Sequence, residues 1–558
     1  MGVHVNMMDD ALIATLPAEY LRSALRALVH NGSEAQKTFT QHIRTQLQAK
    51  IHGEMPSPKS LFPGTDEVSN ECLEYVAFTK CLFASKLVTP AINYITHFVQ
   101  SVEAAQVSWT QGSELHKILD KFSGDIVQAM QALKETAPKA DAALQSLLQP
   151  LLSSFASCEQ YCASKNLEDP FKRASRQVKD STAFYFPDLT TDTAGGTALK
   201  ELTAANPHVE MFPMGSRSVP RLFNGLWQLA SSEWGYSSAD KQQAALTELA
   251  EAGFTAADMA DHYGDAELVY GDFRASLGPD SRDKVYAATK WCIFRDIGQP
   301  VTREYVLAAV KERSRRLRGR VDLLQFHWHN YEAKEYLYIL LHLVRIAKSK
   351  PELVAAIGLC NFDADHTAEA CEYLLKTTGE VGIVSNQVQF SVLDSRPLKK
   401  VTQVSEKYNL KLLTYGSFCG GLLAEKWLGA PVPDTYSASN PLTPSQRKYL
   451  DTLYAWGTWE EFQALLSKLA EVAAKQGAGV TIANVATRWV LQQPAVGAIL
   501  VGTRLGVTSH GTDNLGVFGW KLEGEDLQAI NDLALGKDGA KTTSLFEKFG
   551  DCGDEYRQ

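Results

Sequence analysis

Along the first third of the chain, apolar residues recur every three or four positions, as in Leu16, Tyr20, Leu21, Leu25 and Leu28, with no alternating strand-like runs. This spacing predicts an all-helical region over 10–186, with helices at 16–30, 34–51, 69–107 with a break near Pro90, 114–134 and 138–163. Pro56-Ser57-Pro58 and Phe62-Pro63-Gly64 mark a loop between the second and third helices. From Pro187 to about residue 206 the chain is small, polar and rich in turn formers, as expected of an interdomain linker.

Beyond the linker the pattern changes period. Short apolar, β-branched runs alternate with longer helical stretches, which is the signature of repeated βα units and a parallel sheet. The runs are Phe223–Gln228, Thr255–Ala260, Val285–Lys290, Val321–Trp328, Val354–Asn361, Ile383–Phe390, Leu412–Phe418 and Ala498–Thr503, enough for a (β/α)8 barrel over 207–542. Before them, Val209 to Val219 reads as a hairpin turning at Met214-Gly215 and plugging the barrel floor. Between Gly420 and Trp459, Pro431, Pro433, Pro441 and Pro444 predict a long loop, either a lid over the barrel mouth or a surface insertion. Residues 543–558 are left as a C-terminal tail.

The bulk properties narrow the function classes. A length of 558 residues implies more than one domain, and a net charge of -9 offers no broad basic field for nucleic acid. Nine cysteines over this length, an odd number, fit reduced thiols in a cytoplasmic protein better than a disulfide framework. Cys158 and Cys162 share a helix face without a His or second Cys pair beside them, so burial is expected and no metal site. Neither an export signal nor an apolar run of about 18 residues is visible, so no membrane association is expected.

The candidate chemistry lies where the predicted strands end, the place where an α/β barrel keeps its active site. Asp258, Tyr263, Lys290 and His327 occupy these ends. A phenol is a weak acid with a pKa near 10, and a neighbouring ammonium favours its ionised form. Lys290 supplies that charge to Tyr263, Asp258 holds the lysine charged, and His327 is placed to orient a carbonyl oxygen. The set suits reduction of an aldehyde or ketone, whereas a Schiff-base role for Lys290 in an aldolase-like barrel is the competing chemistry.

The segments Asp258-Met-Ala-Asp-His-Tyr-Gly264, Ala288-Thr-Lys290 and Gln325-Phe-His-Trp328 resemble the tetrad segments of the aldo-keto reductases, in order. The resemblance covers about 206–540 and includes Gly225-Leu-Trp227, Ile357-Gly-Leu-Cys-Asn-Phe362, Asn386-Gln387, Tyr415-Gly-Ser417, Gly420-Gly-Leu-Leu423, Val501-Gly-Thr-Arg504 and Asp513-Asn514. It implies Tyr263 as general acid tuned by Lys290 and Asp258, with His327 orienting a small-molecule carbonyl substrate. It further implies that Asn361 and Gln387 bind the nicotinamide carboxamide, Tyr415 stacks on the ring, and Ser417, Phe418 and Gly420 lie near the pyrophosphate. Gly225, Trp227, Asp513 and Asn514 complete the cofactor residues. Arg504 aligns with the cation that meets the adenosine 2′-phosphate, so NADPH is expected over NADH.

Two departures bear on these expectations. Cys360 stands where the family usually has Ser, and His510 where Arg or Lys commonly gives a second cofactor contact. Trp227, Trp291, Trp328 and His329 neighbour the strand ends and are candidates for an aromatic substrate pocket, as is Trp234. The helical region resembles no family; it is expected to serve oligomerisation, partner binding or capping of the barrel mouth. It leaves open a slow, NADPH-binding sensor acting through that region.

Overall fold

The computed structural model describes residues 12–557 apart from 31, 52, 138, 190–198, 203–205, 231–233, 236, 438–441 and 509–510. His510 and most of the expected linker therefore lie outside the described residues. The helical region comprises α1 (Ala18–His30), α2 (Ser33–Lys50), α3 (Asn70–Ala84), α4 (Val88–Ala104), α5 (Glu114–Thr136), α6 (Ala142–Ser164) and α7 (Lys172–Tyr185). Side-chain caps start several of them: Ser69 accepts from the Cys72 amide, Ser113 from His116 and Asp141 from Leu144. The break between α3 and α4 falls at Ser85 to Leu87, and Pro90 sits in the first turn of α4, where a missing N–H is tolerated. Phe98, Phe122 and Ile126 centre a core made by α3 to α7, in which Cys158 and Cys162 are buried. By contrast, α1 and α2 bury no side chain.

Helix α7 was not among the predicted elements. Its sequence, KRASRQVKDSTAFY, is too polar for an ordinary core face, yet Arg173, Gln177 and Asp180 are all buried.

The second region is a closed parallel barrel. A two-stranded hairpin, β1 (Met211–Met214) and β2 (Arg217–Pro220), precedes β3 (Leu222–Gly225), β4 (Ala256–Asp258), β5 (Tyr286–Ile293), β6 (Val321–Trp328), β7 (Val354–Cys360), β8 (Ile383–Gln389), β9 (Lys411–Tyr415) and β10 (Val496–Gly502). The barrel closes in the order β10-β3-β4-β5-β6-β7-β8-β9. Phe212, Met214 and Val219 of the hairpin pack with Phe223, Tyr286 and Leu413 inside the barrel, so the hairpin does plug it.

Around the barrel run α8 (Ala239–Glu251), α9 (Ala266–Ala275), α10 (Arg303–Arg316), α11 (Glu335–Ser349), α12 (Ala364–Thr378) and α13 (Val401–Lys407). They continue with α14 (Pro444–Trp456), α15 (Trp459–Gln476), α16 (Ile482–Leu491), α17 (Gly524–Leu535) and α18 (Ala540–Phe549). No helix among the described residues is long and apolar enough to cross a membrane.

Two segments differ from expectation. The proline-rich insertion is a loop only in its first half, because Thr443 and Gln446 form a capping box with Pro444 at the first helical position and start α14. The C-terminal tail is not free. It contains α18 and then a turn, Asp554–Tyr556, packed back onto the barrel mouth, with Leu545 and Cys552 buried.

Candidate functional site

A cavity of about 2040 Å³ opens at the carboxyl end of the barrel strands. Strand parity decides what enters it, because neighbouring residues on a strand face opposite sides. Lys290 and His327 line the cavity; Trp291 and Trp328, next in sequence, face outward into the layer between sheet and helices. Trp291 lies beneath the Arg313 guanidinium and against Tyr305, while Trp328 packs with Phe326 and Tyr336. His329 also lies outside the lining, 3.4 Å from Asp296. These three therefore do not wall the pocket; of the aromatic candidates, Trp227 and Trp234 do.

The four strand-end groups converge. Lys290 Nζ donates to Asp258 Oδ2, to the Met259 carbonyl at 3.1 Å and to the Tyr263 hydroxyl at 3.3 Å. Asp258 Oδ1 accepts from Gln325 Nε2 at 2.7 Å and Gln387 Nε2 at 2.8 Å, so its carboxylate is held by amides as well as by the ammonium. The Lys290 and Asp258 side chains are both only 3% exposed. Burial is the largest influence and opposes the lysine charge, but Asp258, Tyr263 and Cys360 together outweigh it and keep the amine above its usual pKa.

The phenol departs from expectation. Burial is the largest influence on Tyr263 and raises its pKa above the usual tyrosine value; Lys290 opposes the rise without cancelling it. Tyr263 is thus a protonated phenol at neutral pH. His327 is pushed down to about 3 by burial, with Arg557 and His262 adding to the effect, so its imidazole is neutral. Its ring meets Phe294 at 5.2 Å and Tyr556 at 6.0 Å between centroids.

Of the residues expected at the cofactor, Gly225, Trp227, Asn361, Gln387, Tyr415, Phe418, Gly420, Arg504, Asp513 and Asn514 all line the cavity. Ser417 does not. It is fully buried and donates to the Phe390 carbonyl at 2.9 Å. Asn361 adopts a left-handed backbone, φ 57°, and its Oδ1 accepts from the Tyr415 hydroxyl at 3.0 Å. Cys360 lines the same wall, its thiol pushed up to about 12 by burial, which makes it inert rather than redox-sensitive.

Several lining residues had not been singled out from the sequence. His262 and Phe294 flank the tetrad, and the C-terminal turn adds Tyr556, whose hydroxyl lies 3.2 Å from that of Tyr415. Lys448, from α14, donates to the Tyr556 hydroxyl at 2.9 Å and stands 5.4 Å from the Tyr415 ring centroid. Glu555 is held by Arg396 at 3.0 Å, and Arg557 donates to the Asn361 carbonyl, which bolts the C-terminal turn to the barrel mouth.

The profile of the Aldo/keto reductase family matches residues 221–534, the whole barrel. The chain belongs to that family. Chloroplastic pyridoxal reductase of Arabidopsis thaliana is 28% identical over 327 residues, covering 56% of this chain and 82% of that protein. Flagellar radial spoke protein 5 of Chlamydomonas reinhardtii is 33% identical over 183 residues, 30% of this chain, and the match spans only 33% of that protein. Among solved structures, the glycerol dehydrogenase of Gluconobacter oxydans covers 58% of this chain and 94% of its own, at 23% identity and a TM-score of 0.46.

Proposed function

We propose that the protein is an NADPH-dependent oxidoreductase that reduces an aldehyde or ketone to an alcohol, with Tyr263 as the proton donor. The observation that carries this reading is the Asp258–Lys290–Tyr263 chain, inside one cavity with a neutral His327 and with Arg504. A general acid must hold its proton before the reaction, and a buried phenol does. Lys290, kept charged by Asp258, lies where it stabilises negative charge on the phenolate as the proton leaves. His327, unable to compete as an acid when neutral, is left to orient the carbonyl oxygen by hydrogen bonding.

The donor set fits a nicotinamide dinucleotide. Asn361, whose oxygen meets the Tyr415 hydroxyl, would offer its amide nitrogen, and Gln387, whose nitrogen is engaged with Asp258 and Gln325, would offer its oxygen, while Arg504 would offer a planar, bidentate cation for a 2′-phosphate. Asp513 and Asn514 line the same cavity and would complete the contacts to adenosine. A bound nicotinamide supplies the hydride. The protein's share is to position the carbonyl against Tyr263 and His327, in a cavity that Trp227, Phe294 and Tyr556 also line.

The test is oxidation of NADPH by the purified protein with a panel of aldehydes and ketones, pyridoxal included because a relative bears that name. Turnover with at least one member supports the reading, and none across the panel overturns it. A nucleotide-sensing role is the second reading, favoured by the ionic grip that the helical region has on the tyrosine loop. Tight NADPH binding with very slow turnover would select it.

A further inference from the structure

Asp265 follows Tyr263 by two residues and is completely buried, although it touches nothing in the cavity. Its partners come from the helical region. Arg173 grips it with both arms of the guanidinium, Nε at 2.9 Å and Nη2 at 2.7 Å, and Arg176 Nη2 adds a third contact at 2.7 Å. Arg176 is anchored in turn to Asp272 of α9 at 2.8 Å. Burial pushes the Asp265 carboxyl up, but the two arginines outweigh it and hold it at about 2, so the contact is fully ionic.

The same helices hold a second loop. Arg173 Nη2 donates to the Leu229 carbonyl at 2.9 Å and Gln128 Nε2 to the Ala230 carbonyl at 3.0 Å, just after the cavity-lining Trp227. Between the two loops Gly264, at φ 58°, lies so close to Val127 that an added Cβ would stand 3.1 Å from its Cγ1. On the barrel side Arg316 donates to the Gly264 carbonyl at 2.9 Å and to Glu267 at 2.7 Å, and also pairs with Asp180 of α7. The loop carrying Tyr263 is thus held between α10 and α7.

We infer that the N-terminal helical region is a positioning element for the catalytic loop, acting through Arg173 and Arg176 on Asp265. The inference rests on Tyr263 being the proton donor. A barrel with its own α10 anchors still leaves Asp265 as an uncompensated buried carboxylate unless these arginines cover it. The loop must then shift to admit water, and a displacement of about 1 Å at a reacting group costs roughly 100-fold in rate. Arg173 and Arg176 are not among the residues lining the cavity, so they act on it indirectly, through the Tyr263 loop and, for Arg173, also through the Leu229 carbonyl.

The experiment uses the full chain with Arg173→Met, Arg173→Lys and the double variant Arg173→Met with Asp265→Asn. The expected result for Arg173→Met is a kcat reduced about 10- to 100-fold per NADPH-binding site. The NADPH dissociation constant should stay within about threefold, because the Arg504 contacts are untouched. The alkaline limb of the pH–rate profile for reduction, where Tyr263 loses its proton, should move with it. Arg173→Lys, which keeps the charge but loses the fork, should recover part of kcat. Asp265→Asn alone strands the buried Arg173 guanidinium, but adding Arg173→Met to it leaves neither charge of the pair, so this double variant keeps the fold if Arg173→Met does not, and it should still slow turnover. Wild-type kcat and pH profile in folded Arg173→Met, or in the double variant, would overturn the inference. Amide exchange of residues 259–267, faster in the variants, reads the clamp without turnover. If the wild type itself reduces nothing while that exchange still responds, the proposed function fails and the clamp stands; unchanged exchange sinks the clamp.

Discussion

Replacing Lys290 with Met removes a buried cation and strands its partner. Asp258 would keep its hydrogen bonds from Gln325 and Gln387 but lose the Lys290 charge that compensates it inside a site where it is 3% exposed. Breaking one side of a buried ion pair costs about 3–5 kcal/mol, a large fraction of the stability of an ordinary domain. The rate should suffer separately. With the ammonium gone, nothing opposes the effect of burial on the Tyr263 phenol, and each further pKa unit weakens it as an acid by about 1.4 kcal/mol. Adding Asp258→Asn separates the two effects, since the double variant holds no unpaired charge. Urea unfolding should show most of the lost stability returning in the double variant, while NADPH oxidation stays at least about 100-fold below wild type in both. A Lys290→Met protein as stable as wild type, or a double variant that regains turnover, would refute the reasoning.

Arg504→Leu should raise the NADPH dissociation constant at least about tenfold and leave NADH nearly unchanged, measured by nicotinamide fluorescence titration, because only the 2′-phosphate loses its partner. Removing residues 550–558 takes Tyr556 from beside His327 and Tyr415 and frees Arg396 from Glu555. The Michaelis constant for the carbonyl substrate should rise about tenfold while NADPH still binds. Because the folded pKa of His327 is depressed to about 3, its contribution to stability is complete above the unfolded value near 6.5 and is lost as pH falls toward 3. Thermal unfolding of His327→Gln should accordingly depend less on pH across that window than wild type.

The barrel was readable because its strands are buried on both faces and so appear as short apolar runs; Val321–Trp328 carries the same ends in the sequence reading and in the structure. The tetrad was readable because polar groups at the ends of such runs are expensive to place without a role. Strand parity was also available and would have sent Trp291 and Trp328 outward, since Lys290 and His327 already claimed the inward side. Likewise Thr443-Pro-Ser-Gln446 spelled a helix start inside the insertion.

Other features left no local signal. Helix α7 buries charges beside a short apolar stripe of Ala174, Val178 and Tyr185, and its polar face makes sense only once Asp265, Arg315 and Arg316 of the barrel stand opposite. Similarly, Glu555 and Tyr556 are ordinary polar residues until Arg396 and Lys448 meet them across more than 100 residues of chain. The upward shift of Tyr263 belongs to the same class, because it depends on how deeply the loop is buried and not on which residues flank it.

Single-turnover reduction by Tyr263→Phe bears most directly on the proposed chemistry. The variant keeps the ring and its packing and loses only the hydroxyl that receives the Lys290 contact. With NADPH bound as tightly as in wild type, the chemical step should slow by about 100-fold or more. A Tyr263→Phe protein that reduces its substrate at the wild-type rate would contradict the assignment of the proton donor.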